Sequence, residues 1–352
     1  MPSPGLKIVA IGGGTGLSTL LRGLKRYVGA TGPWTISHLG AIVTVTDEGG
    51  SSGELRREFG MLPPGDVRNC IVALAEEEEL LSQLFAYRFA AGEALAGHSL
   101  GNLLLTALTD ITGGFDHAIL AAAEVLKIRG EIYPSTLADV RLRASLVDDT
   151  ELIGEVAISG SFLGEKASAK EKHARIKRLY LEPPDAMPTD RALAALREAD
   201  LILIGPGSLY TSLIPNLLIK PIAEALREAH ALRVFICNVM TQPGESEDYS
   251  AEEHLQAIIE HAGLVADLMI VNGKRPSESL LEYYAIEGQY PVQIDVDAAR
   301  ALGVTPFFGD VIAESDYLRH DSAALAETIF RLYDRYGTTL ERMHTGGMNE
   351  DR

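Results

Sequence analysis

Four stretches hold the residue types that can do chemistry in this chain, and each follows an apolar run. Gly12-Gly13-Gly14-Thr15-Gly16 follows Ile8 to Ile11, and Asp47-Glu48-Gly49-Gly50-Ser51-Ser52-Gly53 follows the β-branched run Ile36 to Thr46. Gly205-Pro206-Gly207-Ser208, with Thr211 and Ser212 just beyond, follows Ala199 to Ile204, and Asn238 to Gln242, including Thr241, follows Arg233 to Cys237. Glycines let the backbone approach a ligand closely, and a helix start after such a turn offers unpaired N–H groups and a positive dipole end. That combination suits a phosphate. Hydroxyls in the second and third loops add donors for a phosphate or carboxylate.

Other groups widen the menu. Asp47 can bind a ribose hydroxyl or stand near a metal; Asp66 reads as the N-cap of the helix VRNCIVALA. Arg56, Arg68 and Arg319 lie beside loops rich in glycine, proline or histidine, and the planar guanidinium suits bidentate phosphate recognition. Gly97-His98-Ser99-Leu100-Gly101 fits the spacing of a serine-hydrolase elbow, which needs a strand before the serine. Ala90 to Ala96 is no strand, so Ser99 reads as a helix N-cap, and Asn102 in the same first turn shares the neighbourhood of His98. A P-loop is excluded because no Lys-Ser/Thr follows the first glycines. The dinucleotide fingerprint is only partly met: its third glycine position is Leu17 or Thr19.

The elements that must position these groups read as alternating strands and helices, which predicts a doubly wound, mostly parallel α/β sheet. Ligands in that architecture sit beyond the carboxyl ends of the strands, so the four stretches are expected to converge on one rim. Residues from about 55 to 127 read almost entirely as helix, too long for one crossover, and are expected to form a helical insertion. EIYPS, VRLRASLV, LIGEVAIS and IKRLYLE read as an antiparallel or mixed extension, with a mobile loop from Gly160 to His173. Ser250 and Glu253 form a capping box, and Ser322 to Tyr336 reads as a closing amphipathic helix. The expected organisation is one α/β domain over 1–337 and a disordered tail over 338–352.

Among 352 residues, 31 Lys plus Arg stand against 49 Asp plus Glu, a net charge of −18. Such a surface repels nucleic acid and anionic membrane, so a phosphate ligand must be held locally by backbone N–H groups and a few arginines. The two cysteines, Cys70 and Cys237, form no disulfide framework or metal motif. No run reaches transmembrane length and no signal peptide is evident, so a cytoplasmic location is expected.

Taken together, IGGGTGLSTLLRGLK from Ile11, VTVTDEGGSSGELRREFGMLPPGDVRNCIVALA from Val43, GHSLGNLLL from Gly97, GPGSLYTSLIPNLL from Gly205, CNVMTQPGES from Cys237 and RHD from Arg319 resemble the gluconeogenesis-factor family of bacteria (YvcK-like proteins). That family is related to the 2-phospho-L-lactate transferases (CofD-like) of coenzyme F420 synthesis. The resemblance implies a three-layer Rossmann-like fold with a helical insertion. It also implies a cytoplasmic regulator that binds UDP-N-acetylglucosamine and supports cell shape and wall synthesis on gluconeogenic carbon sources, with no reaction firmly attached. Tyr284, next to Tyr283, and Arg319 resemble positions tied to UDP-sugar binding. In the transferase branch the same rim holds a guanine nucleotide, a divalent metal and a phosphate acceptor. Asp47 resembles an acidic metal-site residue there, but Glu48-Gly49-Gly50-Ser51-Ser52 replaces that branch's acidic continuation.

Three functions follow as expectations. A sensor would hold the diphosphate between Gly12–Gly16 and Gly205–Ser212, with Tyr284 on the nucleotide and Arg319 supplying charge. A phosphotransferase would use Asp47 or Asp66 on Mg²⁺ to position an in-line attack. An NAD-linked oxidoreductase fits the glycine turn but lacks a hydride-site acid/base pair, leaving an NAD-like dinucleotide only as a ligand. Homo-oligomers and regulatory protein partners stay open.

Overall fold

The computed structural model describes residues 5–76, 79–160, 174–314 and 318–346. β1 (Leu6–Gly12) has Ile8, Val9, Ala10 and Ile11 without exposed surface. A strand covered on both faces is apolar throughout rather than alternating, which marks a parallel sheet with helices on each side. β2 (Ile36–Val43) and β3 (Glu131–Pro134) extend the sheet on one side of β1. β7 (Leu201–Ile204), β8 (Leu232–Ile236), β9 (Leu268–Asn272) and β10 (Thr305–Gly309) extend it on the other. The order is β10-β9-β8-β7-β1-β2-β3, with every pair parallel. The chain therefore leaves β1 in one direction, then returns to its other side at β7. That reversal between β1 and β7 is the topological switch point, where the loops leaving two adjacent strands diverge and open a crevice.

β3 joins this sheet as its edge strand, where Pro134 costs no ladder bond that a central strand would need. The sequence expectation had grouped it with the antiparallel extension. That extension is a separate three-stranded sheet of β4 (Arg141–Leu146), β5 (Glu151–Ile153) and β6 (Ile176–Glu182). The stretch after β5, expected as strand, turns at Gly154, whose φ of 92° suits glycine, into the short helix Glu155–Ile158. Of the loop expected over Gly160 to His173, residues 161–173 lie outside the described ones.

α1 (Gly14–Leu24) follows β1 directly. Among the described residues, five helices separate β2 from β3: α2 (Gly50–Phe59), α3 (Gly65–Leu74), α4 (Glu79–Ala86), α5 (Leu100–Thr112) and α6 (Phe115–Val125). This is the helical layer expected from about 55 to 127. Ser99 caps α5, accepting from the Asn102 N–H, which leaves no role for it as an exposed nucleophile. Ser250 and Glu253 form the expected capping box on Ala251–Ala262. The last helix runs Ser322–Gly346, well past Tyr336; residues 347–352 lie outside the described ones. Its start packs on α1 at Gly23, where a Cβ would collide with the Ser322 backbone. A two-stranded hairpin, β11 (Ile312–Glu314) and β12 (Leu318–His320), precedes it. Among the described residues no helix is long and apolar enough to cross a membrane.

Candidate functional site

A cleft of about 410 Å³ opens at the switch point. Its floor is Gly13 to Gly16 and Thr19 after β1, and Pro206 to Ser208 with Ser212 after β7. Asn238 to Gln242, after β8, form one side; Tyr284, Gln289 and the β12 residues Leu318, Arg319 and His320 form the other. Three of the four stretches picked out by sequence thus meet in one crevice.

The glycines serve the fold as well as the cleft. Gly14 has φ of 62°, a conformation that favours glycine. A Cβ on Gly13 would run into the Asp66 carboxylate and Thr44, and one on Gly16 into the Pro206 backbone. The loop after β7 therefore packs directly on the first turn of α1, which faces the cleft. In the Gly205–Ser212 string the donors divide. Ser208 Oγ donates to Gln242 Oε1 at 2.9 Å. Thr211 Oγ1 instead donates inward, to the buried Glu245 at 2.7 Å, which also accepts from the Tyr210 N–H. Gly12, the last residue of β1, and Gly205, just after β7, are not among the residues that line the cleft.

Tyr284 is buried, and its hydroxyl accepts from the Leu318 N–H at 2.9 Å. Tyr284 lines the cleft, and its hydroxyl fastens β12, which carries Arg319, to the helix Glu278–Ile286. With Val239, Ile312 and Leu318 it forms a small apolar cluster distinct from the main core. Tyr283, the neighbouring candidate, is exposed. His320 also lines the cleft; burial pushes its imidazole down to about 4, so it is neutral at physiological pH, and its Nε2 has no hydrogen-bond partner among the described residues.

The remaining stretch, Asp47 to Gly53, does not line this cleft. It folds under the loop before α3: a Cβ on Gly65 would collide with Ser52 Oγ and Asp47 Oδ2. Asp47 accepts from the Gly49 N–H at 2.9 Å. Ser51 Oγ bonds His98 Nδ1 at 3.0 Å and accepts from Asn102 Nδ2 at 3.1 Å. Asp66 is not an N-cap; Pro64 holds that position and the carboxyl turns inward, where it accepts from the Gly14 N–H. Burial first, then the neighbouring Asp47, raises Asp66 to about 7. Glu155 rises to about 8 by burial and by Asp47, Glu245 and Asp66. Arg68, buried beside Asp66 and Asp47, leaves its Nε unpaired and has its pKa lowered by burial and then by Arg88. Arg56 is likewise structural, joining α2 to Asp139, to the Val140 carbonyl at 2.7 Å and to Glu48 at 3.6 Å.

The structure therefore brings Gly13, Gly14, Thr15, Gly16, Gly207, Ser208, Ser212, Asn238, Thr241, Tyr284 and Arg319 together at the cleft. Ser51, Ser52, Arg68 and Asn102, all buried, assemble with the half-buried Asp47 and Asp66 in a polar cluster around the starts of α2, α3 and α5. Gln289 and His320 were missed: His320 adjoins Arg319 in the RHD string, but nothing local in the sequence marks Gln289, which packing of the 284–290 segment delivers.

A parallel α/β sheet with helices on both faces and a glycine-lined crevice at its switch point defines a Rossmann-like protein. The family model described as 2-phospho-L-lactate transferase CofD matches residues 8–312, and the chain belongs to that family. It is 48% identical over 333 residues to the putative gluconeogenesis factor of Nostoc sp., covering 94% of this chain and 69% of that one. It is 43% identical over 328 residues to the gluconeogenesis factor of Bacillus subtilis, covering 93% and 98%. A crystal structure of a Bacillus halodurans protein superposes with a TM-score of 0.85 at 44% identity, covering 93% of this chain and all of that one.

Proposed function

We propose that the cleft binds a nucleotide sugar of the UDP-N-acetylglucosamine type, and that the chain acts in the cytoplasm as a sensor linking that ligand to cell shape and wall synthesis during growth on gluconeogenic carbon sources. The gluconeogenesis-factor names of the relatives support this reading. The observation that carries it is the cleft itself. Two glycine loops from adjacent strands, the start of α1 and Arg319 face one space of about 410 Å³ on a protein of net charge −18. Backbone N–H groups and one arginine can hold a diphosphate there without a basic surface. Tyr284 offers an aromatic face for the nucleoside. Isothermal titration with UDP-N-acetylglucosamine tests the reading; absence of heat at millimolar ligand sinks it.

A second reading rests on the Asp47–Asp66 pair. Asp47 raises the proton affinity of Asp66, a repulsion that a divalent cation between the carboxylates relieves, and Mg²⁺ uses one or two carboxylates when phosphates complete its shell. Asp47 and Asp66 would hold it, and the ion would supply charge neutralisation for transfer of a phosphorus-containing group. Among the described residues, however, no group of three or more His, Cys, Asp and Glu is arranged to hold a metal. Nucleoside monophosphate released from an activated phospholactate analogue with Mg²⁺ would favour this reading over sensing. An NAD-like dinucleotide would compete for the same diphosphate donors as a ligand rather than as a hydride carrier.

A further inference from the structure

Another cavity, of about 380 Å³, opens between α2 and the small antiparallel sheet. Three guanidiniums line it: Arg56 and Arg57 from α2 and Arg141 from β4. Among the described residues Glu48 is the one carboxylate in that lining, so the local charge is positive on a chain of net charge −18. A concave surface of the opposite sign to the rest of the molecule concentrates anions. Glu48 compensates the arginines only loosely. Its Oε1 lies 3.6 Å from Arg56 Nη1 and 3.5 Å from Arg141 Nε, well beyond a close charge-assisted hydrogen bond. The carboxylate rests against Gly154, where a Cβ would collide with Glu48 Oε2. The Asp47–Gly53 stretch thus turns Ser51 and Ser52 toward the polar cluster and Glu48 toward this separate space.

The three guanidiniums play different parts. Arg56 is buried, and its Nη2 serves the fold by bonding Asp139 and the Val140 carbonyl. Its Nε and Nη1 have no hydrogen-bond partner among the described residues. A buried cation with two such nitrogens is poorly compensated, so an anion in the adjoining space is favoured even without touching it. Arg57 and Arg141 are exposed and supply the reach. Among the described residues Arg57 makes no side-chain hydrogen bond or ion pair, and Arg141 has only the loose pair with Glu48. Both can turn a planar fork toward an oxyanion without breaking a close pair. Ile153, Val156 and Ala157 add aliphatic wall. No aromatic side chain lines this cavity among the described residues, in contrast to Tyr284 in the glycine-lined cleft, so a nucleotide base has nothing to stack on.

We propose that this cavity is a second anion site, separate from the glycine-lined cleft, and that it takes the phosphate group of a small phosphomonoester. Arg57 and Arg141 bond the phosphate oxygens, Arg56 adds charge from behind, and Ile153 and Val156 cover the carbon portion. The site stands whether or not the cleft binds a nucleotide sugar. It is tested by isothermal titration with glycerol 3-phosphate at fixed ionic strength, with glycerol as the uncharged comparison and thermal melting to establish that each variant is folded. Wild type binds glycerol 3-phosphate at millimolar concentration or below and does not bind glycerol. Arg57→Ala and Arg141→Ala each weaken that binding at least about fivefold, the loss of one charge-assisted contact. Arg319→Ala, in the other cleft, and Arg22→Ala, exposed on α1 outside both cavities, leave it unchanged. Absence of heat from wild type at tens of millimolar overturns the proposal. So does a loss confined to Arg319→Ala, which places the phosphate among the glycine loops. An equal loss in Arg22→Ala also overturns it, because the surface field alone then accounts for the binding.

Discussion

The switch-point cleft and the polar cluster beneath it are separated by little more than the first turn of α1, yet they treat their polar groups in opposite ways. The cleft is open to solvent and is lined by the glycine loops, Asn238 and Arg319. In the cluster, Asp47, Ser51, His98 and the Asn102 Nδ2 bond each other or nearby backbone, and Asp66 sits on the Gly14 N–H. Polar groups facing an open cleft can be met by water or by a ligand, whereas a buried cluster must pair them within the protein or leave the groups unionised. The difference explains why similar-looking stretches, both rich in glycine and serine, end in different roles. It also predicts that residues of the cluster register in stability and residues of the cleft in affinity.

The largest expected effect is on the cluster side. Arg68→Ala removes the buried cation beside Asp66 and Asp47 and costs about 3 kcal/mol, measured by denaturant unfolding. Unchanged stability, with ligand affinity lost instead, would break the comparison by moving Arg68 into the site. Next is the pH dependence. Asp66 and Glu155 have folded-state pKa values of about 7 and about 8, above their ordinary 3.8 and 4.5. Between those limits the folded protein binds more protons than the unfolded chain, so stability falls as pH rises from about 4 toward 8. Asp66→Asn removes its share of that fall: it stabilises the protein at pH 8 by on the order of 2 kcal/mol and gains nothing at pH 4. A variant whose unfolding free energy follows the wild-type curve in parallel across that range would refute the assignment.

Smaller effects belong to the cleft. Arg319→Ala lowers affinity for UDP-N-acetylglucosamine about tenfold, roughly 1.4 kcal/mol, and leaves the melting temperature in place. The smallest is Tyr284→Phe, which keeps the ring but removes the hydroxyl that accepts from the Leu318 N–H. It costs about 1 kcal/mol of local stability and weakens binding only a few-fold, through the placing of Arg319. Tyr284→Phe losing as much affinity as Arg319→Ala would instead show the hydroxyl bonding the ligand directly.

Much of the fold was legible because the strands announce themselves as short apolar runs ending in glycine or polar turns, and the parallel sheet leaves those turns on one rim. Ile8 to Ile11, Leu201 to Ile204 and Leu232 to Ile236 show the pattern most clearly. The destination of Asp47 to Gly53 was not legible. It depends on how tightly Gly65 lets the following loop press onto Asp47 and Ser52, a long-range packing fact with no local signature. The same holds for Asp66, which looks like a cap in sequence but points at Gly14 once α3 docks on α1. β3 was misplaced because a four-residue strand with a terminal proline fits an edge of either sheet. Val156 to Ile158 was read as strand because β-branched residues favour strand locally, while the turn at Gly154 redirects the chain.

The small apolar cluster around Tyr284 carries one further consequence. Val239, Ile312 and Leu318 meet Tyr284 apart from the main core, and this small cluster, the Tyr284 hydroxyl and the pairing of β11 with β12 help to secure the wall bearing Arg319. Such a unit opens at a lower free energy than the central strands, and its amides exchange with solvent sooner than those of β1. The fraction of molecules with that wall in place multiplies the intrinsic affinity for any occupant, so a contact far from the ligand, at Ile312, sets how much ligand is needed to fill the cleft.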